Sequence, residues 1–99
     1  MATYQILYWH DLPLQVRARD AGGRVSVQLP ERFQQAVDQA AMAAGLTGAD
    51  DYTDGLRWDA TQERLGDARE VAAAVSTELD ALYASLDWRK TVEALRGKA

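Results

Sequence analysis

Cysteine is absent from this 99-residue chain, and there is a single histidine. Without cysteine there is no disulfide framework, no thiolate nucleophile, and no Cys-ligated zinc or iron–sulfur site. One histidine excludes a two-His metal site within one chain. No apolar run reaches the roughly 18 residues that would suggest a membrane span, and no basic segment followed by an apolar stretch opens the chain. These absences lead to the expectation of a soluble cytoplasmic protein with no membrane partner. Basic residues are also in deficit, 11 against 15 acids for a net charge of −4. That balance argues against a nucleic-acid partner, because phosphate binding needs a concentrated basic surface.

Ninety-nine residues make one domain with a modest core, and an apolar content of 47% suits a globular chain. Much of that content is alanine, so helix contacts must be close and shallow. Thr3 to His10 reads as a strand apolar on both faces, with Tyr4, Ile6 and Tyr8 on one side and Leu7 and Trp9 on the other. Such a strand is central in its sheet or covered twice. Asp11-Leu12-Pro13 is expected to break the pairing, since proline donates no hydrogen bond. From Leu14 to Asp20 the chain alternates: Leu14, Val16 and Ala18 point one way, and Gln15, Arg17 and Arg19 the other. An antiparallel hairpin of these two strands follows, with one face of the second strand in water. Gly22-Gly23 followed by alternating residues 24–28 is a hairpin signal for a short extra strand, although that segment leads straight into a helix start.

Pro30 and Glu31 suit the first turn of a helix, where a missing N–H and a negative charge are both favourable. Its apolar stripe is Phe33, Val37, Ala40, Ala41 and Ala44, and Gly45 should close it with Leu46 folding back. Thr47 to Gly55 reads as an acidic loop, Leu56 to Ala60 as a strand, and Thr61 to Gly66 as its extension or a short return. A second helix starts at Asp67, with Glu70 completing a capping box, and carries the stripe Val71, Val75, Leu79, Leu82 and Leu86. The phase slips at Ser85–Asp87. Either one helix turns a second face, or Asp87 caps a short helix with the stripe Trp88, Val92 and Leu95 that ends at Gly97. The reading is an α+β fold: a three- or four-stranded, mostly antiparallel sheet in ββαβα order, two helices packed together on one face, and a short C-terminal helix. Residues 1–86 form the domain and 87–99 a helical tail.

Charge is uneven. Asp50, Asp51, Asp54, Asp59, Glu63, Asp67 and Glu70 crowd the middle, while Arg89, Lys90, Arg96 and Lys98 give the tail a basic excess. Asp50-Asp51-Tyr52-Thr53-Asp54 matches a DDxxD pattern, but 99 residues cannot build the helical cavity that uses it. As a calcium loop it lacks the ligands due at Tyr52 and Thr61, so a solvated acidic turn is the plainer account and no metal is assigned. His10-Asp11 is the one candidate general base, with no nucleophile or oxyanion donor marked beside it, so no catalytic residue is assigned either. Arg17 and Arg19, with Arg57 if its strand pairs nearby, are expected to share a sheet face with Trp9, and Trp88 of the tail either covers that face or helps it bind.

The segments YQILYW, QLPERFQQAVDQAAMAAGLTGADDY and LRW, with the helix Glu70 to Val75 (E-V-A-A-A-V), resemble a small bacterial domain family called virulence factor. The resemblance covers roughly residues 3–84, and QLPERF with AAMAAGLTG is its most specific part. Such domains stand alone or are attached to longer proteins with HEAT-like repeats, which implies a scaffold or accessory role and brings no catalytic residues. The company of stand-alone members implies, as an alternative, an accessory in cobalamin-dependent methyl transfer or methionine synthesis. The expected function is therefore a non-catalytic adaptor domain without cofactor that contacts a protein partner or a second copy of itself through Trp9, Arg17, Arg19, Arg57 and Trp88. A small ligand held on the arginine–aromatic face is the other alternative.

Overall fold

The computed structural model describes residues 1–96. β1 (Ala2–Trp9), β2 (Leu12–Asp20) and β3 (Gly23–Gln28) follow one another, then α1 (Glu31–Ala44) and α2 (Ala49–Asp54). β4 (Leu56–Trp58), β5 (Gln62–Arg64), α3 (Ala68–Leu82) and α4 (Trp88–Arg96) complete the chain. The fold is α+β with an antiparallel sheet, as the periodicities imply. It has five strands, in the order β3-β2-β1 with β4 and β5 both beside β1. The short strand after Gly22-Gly23 is therefore real. It pairs with β2 from Asp20↔Gly23 to Gln15↔Gln28 before the helix begins.

The β1–β2 hairpin is tighter than the sequence suggests. Pairing continues through Tyr8↔Pro13 to Trp9↔Leu12, so the turn is only His10 and Asp11, with His10 at φ 55°. Pro13 does not end the ladder because the register slips between Leu7 and Tyr8. A bulge is one of the few places where a strand tolerates a residue without a donor. Along the other side of β1, β4 and β5 form one interrupted strand. Asp59 bridges the gap: its N–H donates to the Ile6 carbonyl at 3.0 Å, and its carboxylate accepts the Ile6 N–H at 2.6 Å.

Two apolar clusters hold the layers together. In the first, Ile6, Val16 and Ala18 of the sheet meet Ala68, Val71, Ala72, Val75 and Leu79 of α3, with Phe33 from the start of α1. In the second, Trp9, Leu12 and Leu14 meet Ala36, Val37, Ala40 and Ala41 of α1 and Val92 of α4. The two long helices are thus not packed side by side as expected. α3 lies on the sheet, whereas α1 packs with α4 over the β1–β2 turn region. α1 reaches α3 through its first turn, where Arg32 donates to the carbonyls of Asp80 (2.8 Å) and Tyr83 (2.6 Å). Those are orphan acceptors at the end of a helix with no basic residue in its own last turn.

The helix caps follow the sequence. Gly45 is left-handed at φ 74° and Leu46 N–H donates back to Ala41, while Asp67 accepts the Glu70 N–H at 2.8 Å. Val37 and Leu79 are both buried, but Leu82 at the end of α3 is 77% exposed. The helix ends at Leu82, and Asp87 accepts the Arg89 N–H at the start of α4. α4 is integrated into the core: Thr91 and Val92 are buried, and Thr91 Oγ1 donates to Asp11 at 2.6 Å. The expected end at Gly97 lies outside the described residues. The acidic stretch is a helix, α2, rather than a loop, because Asp50 and Asp51 fall in a first turn where carboxylates are favourable. No helix among the described residues is long and apolar enough to cross a membrane.

Candidate binding face

Cross-strand partners share a face, so the pairing registers define the side of the sheet away from α3. One row reads Arg24, Arg19, Thr3, Glu63; the next Ser26, Arg17, Gln5; the third Gln28, Gln15, Leu7, Trp58. Away from the turn end, where α1 and α4 cover Trp9 and Leu56, Arg17, Arg19, Arg24, Ser26 and Gln28 are exposed on this side. The twisted sheet makes a shallow concavity of about 560 Å³ here, with Arg17, Arg19, Arg24, Gln5, Gln15 and Trp58 in its lining.

The centre of this face is ordered. The Arg17 guanidinium carbon sits 3.8 Å from the centroid of the Trp58 ring. Its Nε and Nη2 donate to Gln5 Oε1 at 3.0 and 2.7 Å. Stacking and the forked bonds hold the cation in place without neutralising it. Among the described residues the ion pairs are Arg32–Asp80 and Arg64–Glu78, so Arg17, Arg19 and Arg24 carry their charge unpaired.

Of the expected site residues, Arg17 and Arg19 are exposed on this face, and Trp9, Arg57 and Trp88 are not. Trp9 is fully buried in the second cluster: it stays on the same side of β1 as Leu7, since Trp9↔Leu56 continues the ladder from Leu7↔Trp58, but at this end of the sheet α1 and α4 cover it. Its Nε1 donates to the Tyr52 carbonyl at 3.0 Å, and its ring stacks on Tyr52. Arg57 pairs with Tyr8, on the opposite side from Leu7 and Trp58, and donates to the His10 carbonyl at 3.3 Å. Trp88 is half-buried against the second cluster, beneath Arg89. The tryptophan and leucine beside the arginines are Trp58 and Leu7. Trp58 and Arg24 were missed as site residues. The alternation in residues 24–28 and 56–58 was visible, but the registers that bring them to Arg17 and Arg19 were not.

His10, Asp11, Arg57 and Thr91 line a second, smaller crevice of about 310 Å³ at the hairpin turn. Nearby, burial raises the phenol pKa of Tyr8, with further increments from Tyr83 and Asp59. Burial also raises that of Tyr83, helped by Asp11. Both phenols are therefore neutral near pH 7. His10 packs edge-on against Trp9, and its backbone N–H donates to the Gly55 carbonyl at 2.9 Å. The positive φ of His10 is accounted for by a two-residue hairpin turn, which favours the left-handed region. On α2, Asp50, Asp51 and Asp54 are exposed. Among the described residues no three His, Cys, Asp or Glu side chains are grouped to hold a metal ion.

No curated protein and no solved structure matches the chain. The family described as virulence factor does: its model matches residues 7–92, covering most of both clusters, and the chain belongs to that family.

Proposed function

We propose that this chain is a non-catalytic interaction domain whose open sheet face docks an acidic segment of a partner protein. The observation that carries this is Arg17, stacked on Trp58 and forked on Gln5, beside Arg19 and Arg24, with none of the three arginines ion-paired among the described residues. A protein with an overall acid excess has here concentrated cations around one aromatic ring. Prearranged guanidinium groups favour carboxylates, since less side-chain entropy is lost on binding. The net charge of −4 and the single aromatic on the face disfavour a nucleic-acid strand, which needs extended basic and stacking surface.

An array of Asp/Glu-rich peptides, probed with the wild-type chain and with Arg17→Glu/Arg19→Glu, tests the reading. Binding should weaken with salt and fall about tenfold or more in the double variant, with the melting temperature nearly unchanged. Equal binding by both proteins overturns it. The size of the concavity favours a second reading, a small anionic ligand, which would appear as binding of free dicarboxylates without any peptide preference.

A further inference from the structure

We infer that β3 is a homodimerisation edge, pairing antiparallel with β3 of a second copy about a twofold axis at Ser26. This does not rest on the acidic-partner reading. β3 ends the sheet, and among the described residues nothing pairs with its outer side. The Leu29 N–H donates to the Leu14 carbonyl at 3.0 Å, in the same register as the β2–β3 ladder. That bond fixes the phase of the whole strand. In an antiparallel pair, hydrogen-bonded and non-bonded residues alternate. Val25, Val27 and Leu29 therefore bond inward to β2, and Arg24, Ser26 and Gln28 direct their N–H and C=O groups outward.

Self-pairing about Ser26 brings Arg24 opposite Gln28 of the second copy, Val25 opposite Val27, and Ser26 opposite itself. Three conditions are met at once. Every outward N–H of one copy faces an outward carbonyl of the other. Valines meet on the helix side and polar residues on the open side. Arg24 avoids its own symmetry mate, where like charges directly opposite would repel. Neighbouring registers with the same facing do worse. Centring on Val25 opposes Arg24 to Ser26 and leaves Gln28 opposite the turn residue Gly22. Centring on Val27 opposes Arg24 to Pro30, which has no N–H. The edge also lacks the usual protections, since β3 contains no proline, no lysine and no register shift. Its only charge, Arg24, finds a neutral polar partner. The product is one continuous ten-stranded sheet. Its open side joins the two Arg17 rows through the pair of Ser26 residues, so each concavity borders its twin.

Light scattering coupled to size-exclusion chromatography, run over a concentration series on the full chain, should give twice the monomer mass at the upper end. Ser26→Pro removes an outward N–H and no bond to β2. It should weaken association by about tenfold or more while the far-ultraviolet circular dichroism and the melting curve stay close to wild type. Should that variant misfold, Ser26→Cys decides: a short bismaleimide should link it into a covalent dimer. Gln62→Cys, on the opposite edge, should stay monomeric under the same treatment. A wild-type protein monomeric at every concentration overturns the inference. So does a dimer unaffected in folded Ser26→Pro, or crosslinking at position 62 and not at 26.

Discussion

Asp59 and Ile6 exchange two hydrogen bonds, one through backbone and one through side chain. The Asp59 N–H reaches the Ile6 carbonyl at 3.0 Å, and the Asp59 carboxylate takes the Ile6 N–H at 2.6 Å. β4 pairs with β1 at Leu7 to Trp9 and β5 at Ala2 to Tyr4, so the gap between them would otherwise leave a central-strand N–H without a ladder carbonyl. The Gln5 side chain closes the same gap by donating to the Asp59 carbonyl at 2.8 Å. Gln5 is also the residue that fixes Arg17, so the repair of the sheet and the order of the open sheet face share one side chain.

Replacing Asp59 with alanine should therefore cost about 1–3 kcal/mol, the penalty for leaving a part-buried donor unsatisfied. Chemical denaturation measures the loss. Hydrogen exchange should show the Ile6 amide losing protection well before those of β2. A stability change within about 0.5 kcal/mol of zero, the range of ordinary surface changes, would show that water substitutes freely for the carboxylate.

Gly55 is required for space. Its backbone is ordinary, at φ −79°, but a Cβ there would lie 2.6 Å from Trp9 Nε1 and 2.8 Å from His10 Nε2. Relief requires Trp9 to move, and Trp9 is fully buried and bonded to Tyr52. Gly55→Ala should destabilise the chain by about 1–3 kcal/mol, as overpacking does. The predicted loosening around Trp9 should show as a red shift in tryptophan emission of the folded variant. An unshifted spectrum with wild-type stability would mean that the α2–β4 junction gives way instead.

Asp20 ties the β2–β3 hairpin to the start of α3. Its two carboxylate oxygens accept the N–H groups of Ala68 and Gly22, each at 2.7 Å, and these bonds hold its pKa below the usual carboxylate value. A pKa depressed by folding adds stability that is present above the unfolded pKa of about 3.9 and lost as the pH falls through the lower folded value. Wild type should therefore be more stable than Asp20→Asn at neutral pH, with the gap closing once the pH drops below about 4. Melting temperatures of both proteins across that acid range check the sign. A gap that widens on acidification would contradict it.

Local signals in the sequence carried much of this fold. Period-2 alternation located β2 and signalled, without deciding, the strand after Gly22-Gly23. Gly45 and Asp67 marked a helix end and a helix start, and the phase slip at Ser85–Asp87 marked the break before α4. The features that escaped depend on register between segments far apart in the chain. α1 and α4 bury Trp9 at the turn end of the sheet, and the pairing Leu7↔Trp58 puts a different tryptophan beside Arg17. Neither is encoded in a window around Trp9. Half of the candidate face was legible for the same reason: Arg17 and Arg19 follow from alternation within one strand, whereas Arg24 and Trp58 join them through partners on β2 and β1.

Leu79 and Leu82 test how far a helical stripe can be trusted. Both continue the apolar spacing of α3, yet Leu79 is 6% exposed in the first cluster and Leu82 is 77% exposed. The spacing alone predicts similar losses on truncation. The structure predicts otherwise, because the energy of a leucine comes from the area it removes from water and the cavity its loss leaves behind. Leu79→Ala should cost about 2–4 kcal/mol, and Leu82→Ala should fall within about 0.5 kcal/mol of wild type. Paired urea titrations of the two variants give the comparison directly. Equal losses would mean that Leu82 is buried in solution, against its exposure at the end of α3.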